Sequence, residues 1–216
     1  MNHGSKGPPS FRIWPEDWLN PLPLDRIFDP ARPVEVDLGC GKGRFLLARA
    51  ASHPETQIFG IDRMLRRIRK IDNKLKHRKI GNARLLRMEG YYAVAYLLPP
   101  ASISTYYVFF PDPWPKKKHH GHRLFNEKFI EALHRTLKPG GVVHVATDHL
   151  PYFEIIRESL SRDSRFGAVA PFVPDESERT DFELWYHGKT EIGRCSVRKN
   201  GSWFMVNEAS PINHQP

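Results

Sequence analysis

Two cysteines, Cys40 and Cys195, are all that the 216 residues carry. That is too few for a disulfide framework or a four-cysteine zinc site. Long apolar runs are missing as well. Stretches such as YYVFF (106–110) fall far short of the roughly 20 residues that span a bilayer. The N-terminus has no apolar stretch of the kind a secretory leader needs. A reduced, soluble, cytoplasmic protein with no membrane partner is expected. Acidic residues are in the minority: 33 Lys and Arg face 24 Asp and Glu, a net charge of +9 and a pI near 9.7. Such a balance favours a polyanionic partner, nucleic acid foremost. What is plentiful is core material. Hydrophobic residues make up 40% and aromatic residues 12%, enough at this length for one folded domain.

Proline crowds the first 33 residues, at 8, 9, 15, 21, 23, 30 and 33, which forbids a long helix there. This arm carries Trp14 and Trp18, expected to pack on the domain in preference to stacking on bases. Residues 34–216 read as a single domain. Strands are expected at 33–38, 57–62, 83–88, 102–110 and 141–147, and helices at 44–51, 64–79, 124–137 and 150–162. Further strands are expected at 192–197 and 203–206. Strands alternating with helices predict an α/β fold, a mostly parallel sheet with helices on both faces.

DLGCGKG (37–43) follows the first of those strands and opens a helix. Gly39, Gly41 and Gly43 let the backbone turn sharply and approach a ligand where a Cβ would clash. A nicotinamide site would want a third glycine at the position Arg44 holds. The G-x-G-x-G spacing suits a cofactor without phosphate, of which S-adenosylmethionine is the common one. Acids recur at the strand ends. Asp37 can face the ammonium group of the methionine moiety, Asp62 can accept from ribose hydroxyls, and Glu89 can reach the adenine amine.

The second motif is FPDPWPKKKHHGHRLF (110–125), after the fourth strand. Its prolines fix Asp112 and Trp114, and the basic run from Lys116 to Arg123 is expected to hold phosphate. FPDPWPKK with TDH (147–149) and TDFE (180–183), in that order, resembles the bacterial tRNA (guanine-N7-)-methyltransferase family from about residue 34 to about 198. The resemblance implies a Rossmann-like class I methyltransferase fold with a seven-stranded sheet. It also implies transfer of a methyl group from S-adenosylmethionine to N7 of guanine 46 in the tRNA variable loop. Cofactor contacts map onto Asp37, Asp62, Glu89 and Asp112, and substrate contacts onto Lys116, Asp148, Thr180, Asp181, Phe182 and Glu183. Two positions depart from the family's usual pattern: Asp37 stands for Glu, and Glu89 for Asp.

Guanine N7 carries a lone pair and no proton, so its methylation needs no general base. Alignment and electrostatics should then carry the catalysis, with Asp112 stabilising the positive charge gained by the base. Two other readings stay open: an amino-methyltransferase acting on another RNA or DNA base, suggested by the D-P-W turn, and a non-catalytic tRNA-binding protein. The helix at 63–79 sets Arg63, Arg66, Arg67, Arg69, Lys70, Lys74, Lys76, Arg78 and Lys79 against one acid, Asp72, and is expected to meet tRNA backbone. His53, His134 and His144 read as structural. His119, His120 and His122 lack partner acids or cysteines at ligand spacing, so no metal is expected. Monomer and homodimer both remain open.

Overall fold

The computed structural model describes residues 10–186 and 190–200. The strands are β1 (Arg12–Ile13), β2 (Val34–Leu38), β3 (Gln57–Asp62), β4 (Ala83–Arg87), β5 (Ile103–Phe109), β6 (Leu137–Thr147), β7 (Phe166–Val169) and β8 (Gly193–Lys199). Between them run α1 (Leu24–Ile27), α2 (Arg44–Ser52), α3 (Leu65–Arg78), α4 (Gly90–Tyr92), α5 (Glu127–Thr136), α6 (Leu150–Ser161) and α7 (Asp181–Tyr186). A π-helical turn (Ala93–Leu97) follows α4, and a 3-10 turn (Lys117–His122) precedes α5. The strand expected at 203–206 lies outside the described residues.

The sheet order is β1-β4-β3-β2-β5-β6-β8-β7, parallel except where β8 pairs with β6 and β7. Among the described residues it therefore has eight strands where seven were expected. Two answer to no expected strand, β7 and, from the proline-rich arm, β1, whose Arg12 and Ile13 pair with Leu85 and Leu86 of β4. Nothing in the composition of β1 marks a strand. It forms because Asp72 on α3 accepts the Phe11 amide at 2.8 Å and fixes the register from a distance.

Two apolar layers cover the sheet. On one face α2 and α3 pack Leu46, Ile68, Ile71 and Leu75 against Ile58 and Leu85. On the other, the arm, the π-helical turn, α5 and α6 form the larger core. Leu22 and Phe28 of the arm are buried there, and Trp18 packs against it, but Trp14 is 71% exposed. The expectation that Trp14 packs on the domain is corrected on this point. The first layer is set very close to the sheet at Gly60, mid-strand in β3. A Cβ there would lie 2.2 Å from Leu46 Cδ1.

Lys138 to Gly141 (Lys-Pro-Gly-Gly), which follow the end of α5, form a bulge at the start of β6. Ile103 pairs with Leu137, but two residues on Thr105 pairs with Val142.

Candidate active site

The parallel strands all point their C-terminal ends to one side of the sheet, where β2 and β5 diverge to opposite connections; such a switch point gathers ligands in open α/β sheets. A cavity of about 1060 Å³ opens there, lined among others by Gly39, Asp62, Glu89, Asp112 and Trp114. The two sequence motifs thus face each other across one space.

The cofactor loop is shaped by left-handed backbone at Gly39, Gly41 and Gly43 (φ 81°, 56° and 78°), where a side chain would be strained. It rests on the end of β3, since Gly39 N and Cys40 N both donate to Ile61 O at 2.8 and 3.0 Å. Asp62 completes the seat: it accepts from Gly41 N and Arg67 Nη1, both at 3.1 Å, and from Met64 N at 2.7 Å. Arg67 was expected to face RNA, and its tie to Asp62 was not foreseen. Asp37, one residue from the end of β2, is 4% exposed and its Oδ2 has no hydrogen-bond partner. Burial, reinforced by the nearby Asp62, raises its carboxyl to about 7. A buried carboxylate with an orphaned oxygen is matched to a cationic ligand group.

Glu89 sits just beyond β4 and has a task the sequence did not announce. It is the N-cap of α4, its oxygens accepting from Tyr91 N and Tyr92 N at 2.9 and 2.8 Å. Its exposed side chain still borders the cavity.

After β5 the backbone passes through two strained residues, Phe110 (φ 52°) and Trp114 (φ 43°), on either side of the exposed Asp112. The basic run that follows divides. Lys116, Lys117 and Lys118 are exposed, but Arg123 is buried, donates from Nε to Pro113 O at 2.9 Å and lies 4.8 Å over the Tyr152 ring. Arg123 thus pins the D-P-W turn and is not available to phosphate, because Tyr152 and the Pro113 carbonyl hold it inward.

TDFE reaches the site from the far end of the chain. Phe182 stacks on Phe110 with centroids 5.4 Å apart, which sets α7 against the D-P-W turn. Thr180 and Glu183 cap each other, Thr180 N donating to Glu183 Oε2 at 2.7 Å and Glu183 N to Thr180 Oγ1 at 3.1 Å. Glu183 is buried and also bonded to Arg194, so both of its oxygens are engaged. Asp181 is half-buried beside it, and Asp148, after β6, is half-buried too. Neither lines the cavity, nor do Lys116 and the 180–183 segment.

Residues that sequence reasoning missed hold this arrangement together. Arg44 donates from Nε to Arg179 O at 2.9 Å, and buried Glu178 lies 3.7 Å from Arg49 and 3.4 Å from His53. These ties join α2, which the glycine loop opens, to the segment that carries TDFE. Their signal was present only as an Arg at position 44.

The chain matches the family described as "Putative methyltransferase" over residues 31–187. A Thiobacillus denitrificans protein named tRNA (guanine-N(7)-)-methyltransferase is 34% identical over 165 residues, 75% of this chain and 73% of its own length. One of the same name from Nitrosococcus oceani is 35% identical over 176 residues, 79% and 75% of the two chains. Among solved structures, the 16S rRNA methyltransferase KamB superposes with a TM-score of 0.60 at 16% identity, covering 82% of this chain and 92% of that one. That likeness bears on the fold alone, a class I methyltransferase architecture. The sequence relatives go further, at 34–35% identity over three quarters or more of the chain: the chain belongs to the tRNA (guanine-N(7)-)-methyltransferase family.

Proposed function

We propose that this chain methylates N7 of guanine in tRNA, at position 46 of the variable loop, with S-adenosylmethionine as donor, in the cytoplasm. The observation that carries the reading is a cavity that gathers Gly39, Asp62, Glu89 and Asp112, with Asp37, which is not itself in the lining, buried two residues before Gly39 with an unpartnered oxygen. The donor set fits the cofactor: Asp37 for its ammonium group, Asp62 for its ribose hydroxyls, Glu89 for its adenine amine, and the glycine backbone for close approach. S-adenosylmethionine, when bound, supplies an electrophilic methyl group.

The chain's own task is then alignment. Guanine N7 needs no base, and the described residues around the cavity include no nucleophile poised for covalent work; Cys40, in the glycine loop, has its thiol pushed well up by burial. Asp112 is the catalytic residue, its carboxylate stabilising the charge that the guanine gains. Lys116 meets phosphate, and Asp148 and Asp181, with Thr180 and Phe182, form the substrate side. Glu183 serves that side by holding the Thr180 turn. The domain spans 34–216, preceded by the arm 1–33, and acts as monomer or homodimer.

The test is to incubate the purified protein with bulk tRNA and labelled S-adenosylmethionine and to identify the labelled nucleoside. 7-Methylguanosine is expected. Label on an exocyclic amine would make it an amino-methyltransferase, and tRNA binding without turnover would make it a binding protein only.

A further inference from the structure

Trp14 lies outside the core, and it begins a row of rings. Its centroid is 5.7 Å from that of Trp18, edge to face. Trp18 O accepts the Tyr92 hydroxyl at 3.0 Å, and Tyr92 lies 5.0 Å from Tyr96, which is 52% exposed. Tyr96 in turn meets Tyr91 at 6.3 Å, and both line the active-site cavity. Two groups of rings, one on the arm and one at the cavity rim, are thus joined by the Tyr92–Trp18 hydrogen bond. Tyr96 stands out because it sits on the π-helical turn, a local widening of the helix that costs regular hydrogen bonding and recurs at functional sites.

Cations flank the row. Ile13, the last residue of β1, pairs with Leu86, next to Arg87 at the end of β4, and Trp14 follows directly on β1. Arg63 and Arg87 are both exposed, and Arg87 leans on the Arg63 carbonyl at 3.4 Å, whereas Arg12, also exposed, is paired with Asp72 at 3.6 Å. Exposed aromatic faces among exposed arginines are the pattern that binds single-stranded nucleic acid, with bases on the rings and phosphates on the cations. A protein partner would more often bury an aliphatic patch, and acidic side chains would then be expected to face the arginines. A duplex offers no base faces.

We propose that Trp14 and Tyr96 form a stacking platform for unpaired nucleotides of the tRNA substrate, adjoining the pocket where methyl transfer takes place. The inference rests on the tRNA reading and adds that the substrate strand crosses the arm on its way to the cavity. Trp18, Tyr91 and Tyr92 back the platform.

The test measures binding by fluorescence anisotropy of the full chain to a short single-stranded RNA and to a blunt-ended two-strand RNA duplex. Trp14→Ala and Tyr96→Ala should each weaken single-strand binding by roughly 5- to 100-fold and leave duplex binding unchanged. Tyr96→Phe, which keeps the ring, should bind like the parent. Calorimetry with S-adenosylmethionine separates the neighbouring site. Unchanged single-strand binding in both alanine variants overturns the platform. So does a loss shared equally by duplex and single strand, or a loss confined to cofactor affinity, which would assign Tyr96 to the adenine. Because binding is read directly, a protein that binds strands normally but makes no 7-methylguanosine would sink the functional reading and leave the platform standing.

Discussion

At Asp37, burial and the neighbouring Asp62 raise the carboxyl to about 7 while one of its oxygens stays unpartnered. The folded value lies above the unfolded 3.8, so the unfolded chain loses this proton first. Stability from this group is therefore greatest below about pH 4, falls as pH rises toward 7 and levels off beyond. Asp37→Asn should raise stability at pH 8 by about 1–3 kcal/mol, a gain that shrinks as pH falls and disappears by about pH 4. Thermal melts at the two pH values would check it, and a destabilised variant at pH 8 would refute the account. The same change should weaken S-adenosylmethionine binding, because the carboxylate that would face its ammonium group is gone. In the parent, that affinity should fall by up to about tenfold per unit as pH drops below 7. Asp112 presents the opposite case, exposed and outside every core. Asp112→Ala should lower kcat by roughly 100- to 1000-fold with the melting temperature unmoved. Near-normal turnover would remove it from the mechanism.

Among the elements, α3 is the most charged. Its one acid does not balance its surface. Asp72 is 3% exposed and is taken up by Phe11 N, Ser10, Lys76 and Arg12, so it clamps the arm. Arg67 is committed to Asp62. Arg66, Arg69, Lys70, Lys74, Arg78 and Lys79 remain exposed on one element. If they meet tRNA phosphates, Lys70→Ala and Lys74→Ala should each lessen the slope of log affinity against log salt by about 1. A slope identical to the parent's would place the RNA elsewhere. The helix was legible in the sequence because Ile68, Ile71 and Leu75 recur at its period. The arm's strand was not. Two residues carry no periodicity, and their register depends on an amide bond across 61 positions. Glu89 shows the same limit on a shorter range, since a strand-end acid and a helix cap look alike until Tyr91 and Tyr92 turn back onto it.

For the molecule as a whole, alternation of strand and helix foretold the parallel sheet, and the strand-end acids foretold which edge of it would be the site. Less of the site's far side could be read. TDFE approaches through Phe182 on Phe110, Arg44 on Arg179 and Glu178 on Arg49, contacts between segments up to 135 residues apart that no local pattern records. Arg123 was misplaced for a related reason: in a run of cations, only the fold decides which one turns inward. The first layer meets the sheet closely at Gly60, where β3 presents bare backbone to Leu46 of α2, the helix that the glycine loop opens. Gly60→Ala alone should cost roughly 1–3 kcal/mol, and Leu46→Ala alone roughly 2–5 kcal/mol. Together they should cost less than their sum, by about 1 kcal/mol or more, as denaturant melts of the three variants would show. The cost of a change at either position thus depends on which residue holds the other, so that room made at 46 sets how large a residue 60 can carry.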